Sequence, residues 1–167
     1  MAYVKIVNNA YRDWSAIYNV INYIFRYGNV PPKFVGGYGV IFGDETNYSN
    51  DIVEQFEAIK IIYKKQECKL LKHFVITFSE EEKITEEDAC SIAWKFIKYF
   101  QVDYQVVFAV HNDTDHIHIH VVLNTTNIST GNCYSDFYDI EKLNKFLENI
   151  MINHRLHTKK SLVIFIR

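Results

Sequence analysis

The chain has 167 residues, 49% of them hydrophobic, enough for one sizeable core and too many for a disordered or fibrous protein. Its 18 Lys/Arg against 20 Asp/Glu leave a net charge of −2, which argues against nucleic-acid affinity resting on phosphate neutralisation alone. No apolar run reaches the roughly 18 residues that span a bilayer, and the first nine residues alternate like a strand rather than a signal peptide, so a soluble cytoplasmic protein is expected.

In chain order, a strand is expected over 3–7 and a helix over 14–27 with Asp13 as its cap. Pro31, Pro32 and the glycines at 36, 37, 39 and 43 mark a loop or irregular hairpin. A helix over 49–64 and a strand over 72–78 follow. Thr85 opens a helix reaching 100, with Asp88 completing a capping pair. Strands over 104–111 and 116–123 form an antiparallel hairpin around the turn Asn112-Asp113-Thr114-Asp115, and a last helix covers 138–152. The acidic residues Glu80, Glu81, Glu82, Glu86, Glu87 and Asp88 gather in a loop and helix start, away from any anionic partner. Cys68, Cys90 and Cys133 are odd in number and far apart, which fits neither a disulfide framework nor a thiolate metal site and points to a reducing compartment. The class is α+β, with a largely antiparallel central sheet, helices packed mainly on one face and a metal site on the other.

The metal site is read from alternation. Side chains on a strand point alternately to its two faces, so His116, His118 and His120 share one face while Ile117, Ile119, Val121 and Leu123 share the other. On the preceding strand Tyr104, Val106, Phe108 and Val110 join the apolar face, leaving Gln105, Val107, Ala109 and His111 with the histidines. A four-residue turn would pair His111 with His116 and place His118 diagonally, about 7 Å away. The strand over 72–78 sorts the same way: Lys72, Phe74, Ile76 and Phe78 against His73, Val75, Thr77 and Ser79. Three neutral imidazoles suit a divalent ion and leave positions open for a substrate oxygen. Asp113 or Asp115 is placed to fix the tautomer of a ligand imidazole.

On the first helix Ile17, Tyr18, Ile21, Ile24 and Phe25 form one apolar stripe, whereas Tyr23 lies nearly opposite, with Tyr27 a turn further on. An aromatic turned away from the core can serve as a nucleophile. A phenol, with its ordinary pKa near 10, is weak at neutral pH unless a metal makes the electrophile more reactive.

Together these residues resemble the conjugative relaxases, the mobilisation nucleases within the superfamily of endonucleases with a histidine-hydrophobic-histidine motif. The run from His111 through Asp113, Asp115, His116, His118 and His120 to Val121-Val122-Leu123-Asn124 is similar to their histidine motif. Asn22-Tyr23-Ile24 resembles their amino-terminal tyrosine motif, His73 to Ser79 their middle motif, and Asp139, Leu143 and Leu147 the helix after the histidine motif. The resemblance implies that Tyr23 is the nucleophile, forming a 5′-phosphotyrosine link to single-stranded DNA at an origin of transfer. It also implies that His111, His118 and His120 hold a divalent ion, Mg²⁺ or Mn²⁺, since the following Val-Val-Leu-Asn selects His118 with His120 over His116. Asp113 becomes a support for the ligands or the proton transfer, and Thr77 or Ser79 a hydroxyl that touches DNA. Accessory relaxosome proteins become possible partners. The related initiators of rolling-circle replication and tyrosine transposases place their tyrosine after the histidine pair, where this chain has Tyr134 and Tyr138. A non-catalytic DNA-binding remnant would show no metal dependence. A nuclease domain over 1–153 with a tail over 154–167 is implied, and, since relaxases usually continue well beyond this length, a truncated or short form.

Overall fold

The structure is a computed structural model that describes residues 1–7, 11–26, 29–43, 48–64, 68–113, 116–135 and 139–164, with side chains as far as 154. Tyr27, Asp115 and Tyr138 fall outside the described residues. Five strands, β1 (Tyr3–Ile6), β2 (Val35–Tyr38), β3 (Leu71–Thr77), β4 (Val106–His111) and β5 (His118–Asn124), form one sheet in the order β1-β3-β5-β4-β2. Every neighbouring pair is antiparallel. Four helices, α1 (Ser15–Phe25), α2 (Tyr48–Ile62), α3 (Glu86–Ile97) and α4 (Asp139–Ile164), complete the α+β fold. Among the described residues no helix is long and apolar enough to cross a membrane.

Periodicity explains which faces are buried. Phe74, Ile76, Phe108, Ile119 and Val121 are buried on one side of the sheet, where Trp94 of α3 meets Phe108 edge-on at 5.2 Å between ring centroids. Thr85 and Asp88 close the expected capping box at the start of α3, satisfying donors that a helix start leaves free. α4 packs against β1, and Asn144 reaches the edge strand itself: its Oδ1 accepts from Val4 N at 2.8 Å and its Nδ2 donates to Val4 O at 3.4 Å. A side-chain amide thus pairs an edge backbone that a further strand would otherwise occupy.

The helices are not confined to that face. α2 packs over the histidine side, where Gln105 Nε2 donates to Gln55 O at 3.3 Å and Asn124 Nδ2 donates to Phe56 O at 3.1 Å and to Gln105 Oε1 at 2.7 Å. α1 lies beside α2 on the same side and carries Tyr23. The metal face is therefore half roofed, which is what buries His111 and His120.

Several expectations need correction. The segment after Pro32 contains an edge strand, β2, paired with β4, rather than a loop or irregular hairpin. Its Val-Gly-Gly-Tyr sequence has little strand propensity, but a Cβ at Gly36 would collide with the rings of Trp94 and Phe108, so packing from the neighbours requires glycine there. Tyr18 is 47% exposed and does not belong to the core stripe. Buried Val20 shifts the stripe away from it, and Asn22 fills the α1–α2 contact, donating to Tyr18 O and accepting from Ser49 Oγ. Asp13 sits one residue ahead of the N-cap Trp14 and accepts from Ser15 N at 2.9 Å. The last helix runs on from 152 to Ile164. Cys68 and Cys133, 65 residues apart in sequence, stand with Cα atoms 6.2 Å apart and are joined as a disulfide, leaving Cys90 free. Sequence distance concealed a pairing made by the segments flanking β3 and β5.

Lys60 is the most unusual buried group. It is 1% exposed in the contact between α2 and the turn after β5, and its ammonium donates to Thr126 Oγ1 at 3.2 Å and Thr125 Oγ1 at 3.4 Å. Desolvation lowers its pKa from an ordinary 10.5 to about 7. Between these values the unfolded chain binds more protons than the folded one, so stability rises with pH from about 7 to about 10.5, and the penalty below pH 7 amounts to a few kcal/mol. Denaturant titrations of wild type and Lys60→Met at pH 7 and pH 9 should show wild type gaining stability with pH and the variant gaining less, with the variant the more stable of the two at pH 7.

Candidate metal centre

The centre is built by the two middle strands and the end of α1. β4 and β5 pair with His111 opposite His118 and Ala109 opposite His120. On the other side of β5, Thr77 lies opposite His118 and Val75 opposite His120. The expected face assignment holds, but the register differs by two residues from a hairpin pairing His111 with His116. The connection between the strands is longer than a four-residue turn, and His116 falls outside the ladder, exposed, with Nε2 3.7 Å from Glu80. The three candidate ligands stand close together: ring centroids are 5.3 Å apart for the directly paired His111 and His118, 4.4 Å for the diagonal His111 and His120, and 4.9 Å for His118 and His120. One ligand atom from each of the three lies within 4.8 Å of the others.

Each imidazole has one nitrogen tied. His111 Nε2 donates to Ile24 O at 2.6 Å, and His118 Nδ1 donates to His116 O at 3.1 Å. Carbonyls only accept, so these bonds leave the lone pairs on His118 Nε2 and on His111 Nδ1, the latter facing the Arg26 guanidinium at 3.4 Å. His120 Nδ1 lies 2.8 Å from His73 Nε2, while its Nε2 is buried with no hydrogen-bond partner among the described residues. An orphaned nitrogen in a polar cluster of this kind is costly as a donor and useful as a ligand. The donor set therefore fits a divalent ion with open positions.

Electrostatics point the same way. Desolvation, followed by the neighbouring His111 and His73, lowers the pKa of His120 to about 2, and desolvation with His111 lowers that of His73 to about 4. Burial also lowers His111; the Ile24 carbonyl opposes this and the Arg26 cation reinforces it. A cluster that resists protonation presents neutral imidazoles, the form that binds metal.

Tyr23 is 57% exposed on α1, and its ring meets the cluster edge-on, 5.4 Å from His120, 6.3 Å from His73 and 6.4 Å from His111. A cleft of about 560 Å³ opens beside it, with Tyr11, Ser15, Asn19, His73 and His120 among its walls. Thr77 shares this face opposite His118. Ser79 lies beyond the end of β3, where its hydroxyl accepts from the amino terminus, and it lines a separate small pocket with His116. Of the two residues only Thr77 lies on the histidine face, and its hydroxyl is buried there rather than exposed to a DNA strand. Asp113 bonds no ligand imidazole; it is ion-paired with Arg26. Partial desolvation opposes ionisation of Asp113, but the hydrogen bond and charge of Arg26 hold its carboxyl below the usual value. Tyr134 packs against Phe100 and Tyr104, under Lys72, on the side of the sheet away from the histidines.

Two residues escaped the reading of the sequence. Arg26 places Nη2 3.4 Å from His111 Nδ1 and so brings a fixed cation to the edge of the centre. His73 is the fourth imidazole of the cluster. Alternation on β3 already assigned it to the correct face, but nothing in the sequence showed that it would reach His120 from its place opposite Val122.

Residues 39–156 match the family model described as relaxase, MobA/VirD2-like, nuclease domain. Protein Rlx from Staphylococcus aureus is 32% identical over 79 residues, 47% of this chain and 24% of that protein. Another Staphylococcus aureus Rlx is 28% identical over 105 residues, 60% of this chain and 31% of that protein. The group II intron-interrupted relaxase LtrB of Lactococcus lactis subsp. cremoris (strain MG1363) is 35% identical over 69 residues, 41% of this chain and 12% of that protein. The chain thus spans less than a third of the length of these relatives, and Tyr23 precedes the stretch that the family model matches. With the histidine cluster lying inside that stretch, the chain belongs to the MobA/VirD2-like relaxase family, as a nuclease domain.

Proposed function

We propose that the protein nicks single-stranded DNA at the origin of transfer of a plasmid or integrative element and carries the cut strand on Tyr23 until it is rejoined. The observation that carries this reading is the approach of an exposed tyrosine ring to within 5.4 Å of the His120 ring, beside a cleft large enough for a nucleotide. His111, His118 and His120 would hold Mg²⁺ or Mn²⁺, which when bound polarises the scissile phosphate and orients it. The Tyr23 oxygen attacks phosphorus in line with the 3′ oxygen. The P–O3′ bond breaks, the phenolic proton passes to solvent, and the released strand takes up a proton as a free 3′-hydroxyl. The 5′-phosphate stays esterified to Tyr23, conserving the bond energy for resealing. Arg26, steadied by Asp113, sets a positive charge at the rim where phosphate oxygens would lie. Tyr11 in the cleft wall offers a ring for a base to stack on.

The rival assignment, a nucleophile following the histidines as in rolling-circle initiators, is disfavoured for Tyr134 because its ring lies across the sheet from the cluster. Labelled single-stranded origin-of-transfer DNA incubated with the protein and Mn²⁺, then run on a denaturing gel, should give a covalent protein–DNA band for wild type and Tyr134→Phe but none for Tyr23→Phe. A band that persists in Tyr23→Phe, or its absence from wild type with every divalent ion tried, would sink the proposal.

The ligand assignment has its own test. Mn²⁺ titration followed by electron paramagnetic resonance should show His120→Ala binding at least ~100-fold more weakly than wild type, beyond the range seen on removing an outer partner of a ligand. His116→Ala, which alters a residue outside the ladder, should bind like wild type.

A further inference from the structure

Of the three ligand imidazoles, two are held by backbone carbonyls, which accept and cannot donate, so the position of their hydrogens is forced. His120 is different: its Nδ1 faces another imidazole, His73 Nε2, at 2.8 Å, and either nitrogen could carry the hydrogen between them. The two directions have opposite consequences. If His73 donates, neutral His120 must carry its hydrogen on Nε2, and a buried N–H is left without an acceptor among the described residues. If His120 donates, its buried Nε2 keeps a bare lone pair within the cluster it forms with His111 and His118.

We infer that His73 is a positioning residue, the hydrogen-bond acceptor that fixes His120 as the Nδ1–H tautomer and aims its Nε2 at the metal. The inference rests on the metal reading proposed above. Carboxylates and carbonyls usually take this part behind a ligand histidine. Asp113, the carboxylate nearest in sequence among the described residues, is committed to Arg26, and the space behind His120 is filled by β3. His73 reaches His120 because β3 and β5 are neighbours: it sits opposite Val122, one same-face position along from the Val75–His120 pair. Its own burial, at 4% exposure, and the tilt of 39° between the two rings keep the contact in place. As the acceptor, neutral His73 carries its remaining hydrogen on Nδ1.

The test compares His73→Gln, whose amide oxygen reaches about where Nε2 stood and can accept, with His73→Phe, which fills the space and cannot. Mn²⁺ affinity is read by electron paramagnetic resonance and calorimetry, with thermal melts of the metal-free proteins alongside. The expected result is a loss of ~10–100-fold in affinity for His73→Phe and restoration to within a few-fold of wild type by His73→Gln, with similar melting temperatures. The second measurement needs no variant: long-range ¹H–¹⁵N spectra of the wild-type imidazoles should show the His120 hydrogen on Nδ1, so the question stays open to decision even if His73→Phe does not fold. Wild-type affinity in His73→Phe, or a hydrogen on Nε2 of His120, would overturn the role of His73 while leaving the metal centre standing. Failure of folded wild type to bind Mn²⁺ at all would overturn both readings at once.

Discussion

The centre depends on the register of one strand pair. With β4 and β5 aligned so that His111 faces His118, Ala109 faces His120, and the small side chain of Ala109 leaves the imidazoles of His111 and His120 room to approach to 4.4 Å. A slip of one residue would send His118 and His120 into the apolar layer beneath α3 and bring Ile119 and Val121 out. The core and the site therefore enforce each other: burying Phe108, Ile119 and Val121 is what leaves the histidines on the other side. Asn124 pins this register at the far end of β5, because its amide bonds both Gln105, the residue before β4, and the Phe56 carbonyl on α2. The polar residue that closes the run Val121-Val122-Leu123-Asn124 thus has a structural reason to be there.

This division of labour explains what could be read from the sequence. Alternation determines which face a residue occupies, so the histidine face, the apolar face and the place of Thr77 could all be predicted. Opposed periodicity on a helix likewise separated Tyr23 from Ile17, Ile21 and Ile24. The pairing of residues along two strands depends on the length and path of the connection, and the turn residues between His111 and His118 do not specify a register. Tyr18 sat at the border of its stripe, where the position of α2 decides exposure and the helix pattern alone cannot. Asp113 and Arg26 are far apart in sequence, and their ion pair, which removes Asp113 from the ligands, follows from where α1 ends. β2 and the Cys68–Cys133 bond depended still more on neighbours: Gly36 tolerates its place because of Trp94 and Phe108, side chains contributed by other elements.

The end of α1 connects the tyrosine to the histidines. Arg26 takes a left-handed conformation at φ 49°, and its N–H closes the helix onto the carbonyls of Asn22 and Tyr23. Among the described residues no backbone N–H takes the carbonyl of Ile24. His111 Nε2 takes it at 2.6 Å. Ile24 is the residue next to Tyr23, so the bond that orients a candidate ligand also fixes the turn of helix bearing the candidate nucleophile. The same left-handed residue supplies the guanidinium that reaches Asp113 and lies near His111 Nδ1. Had α1 continued for one more turn, Ile24 O would be bonded within the helix, His111 would lose its orienting acceptor, and the Arg26 side chain would point elsewhere. The place where α1 stops therefore sets the geometry between Tyr23 and the metal face.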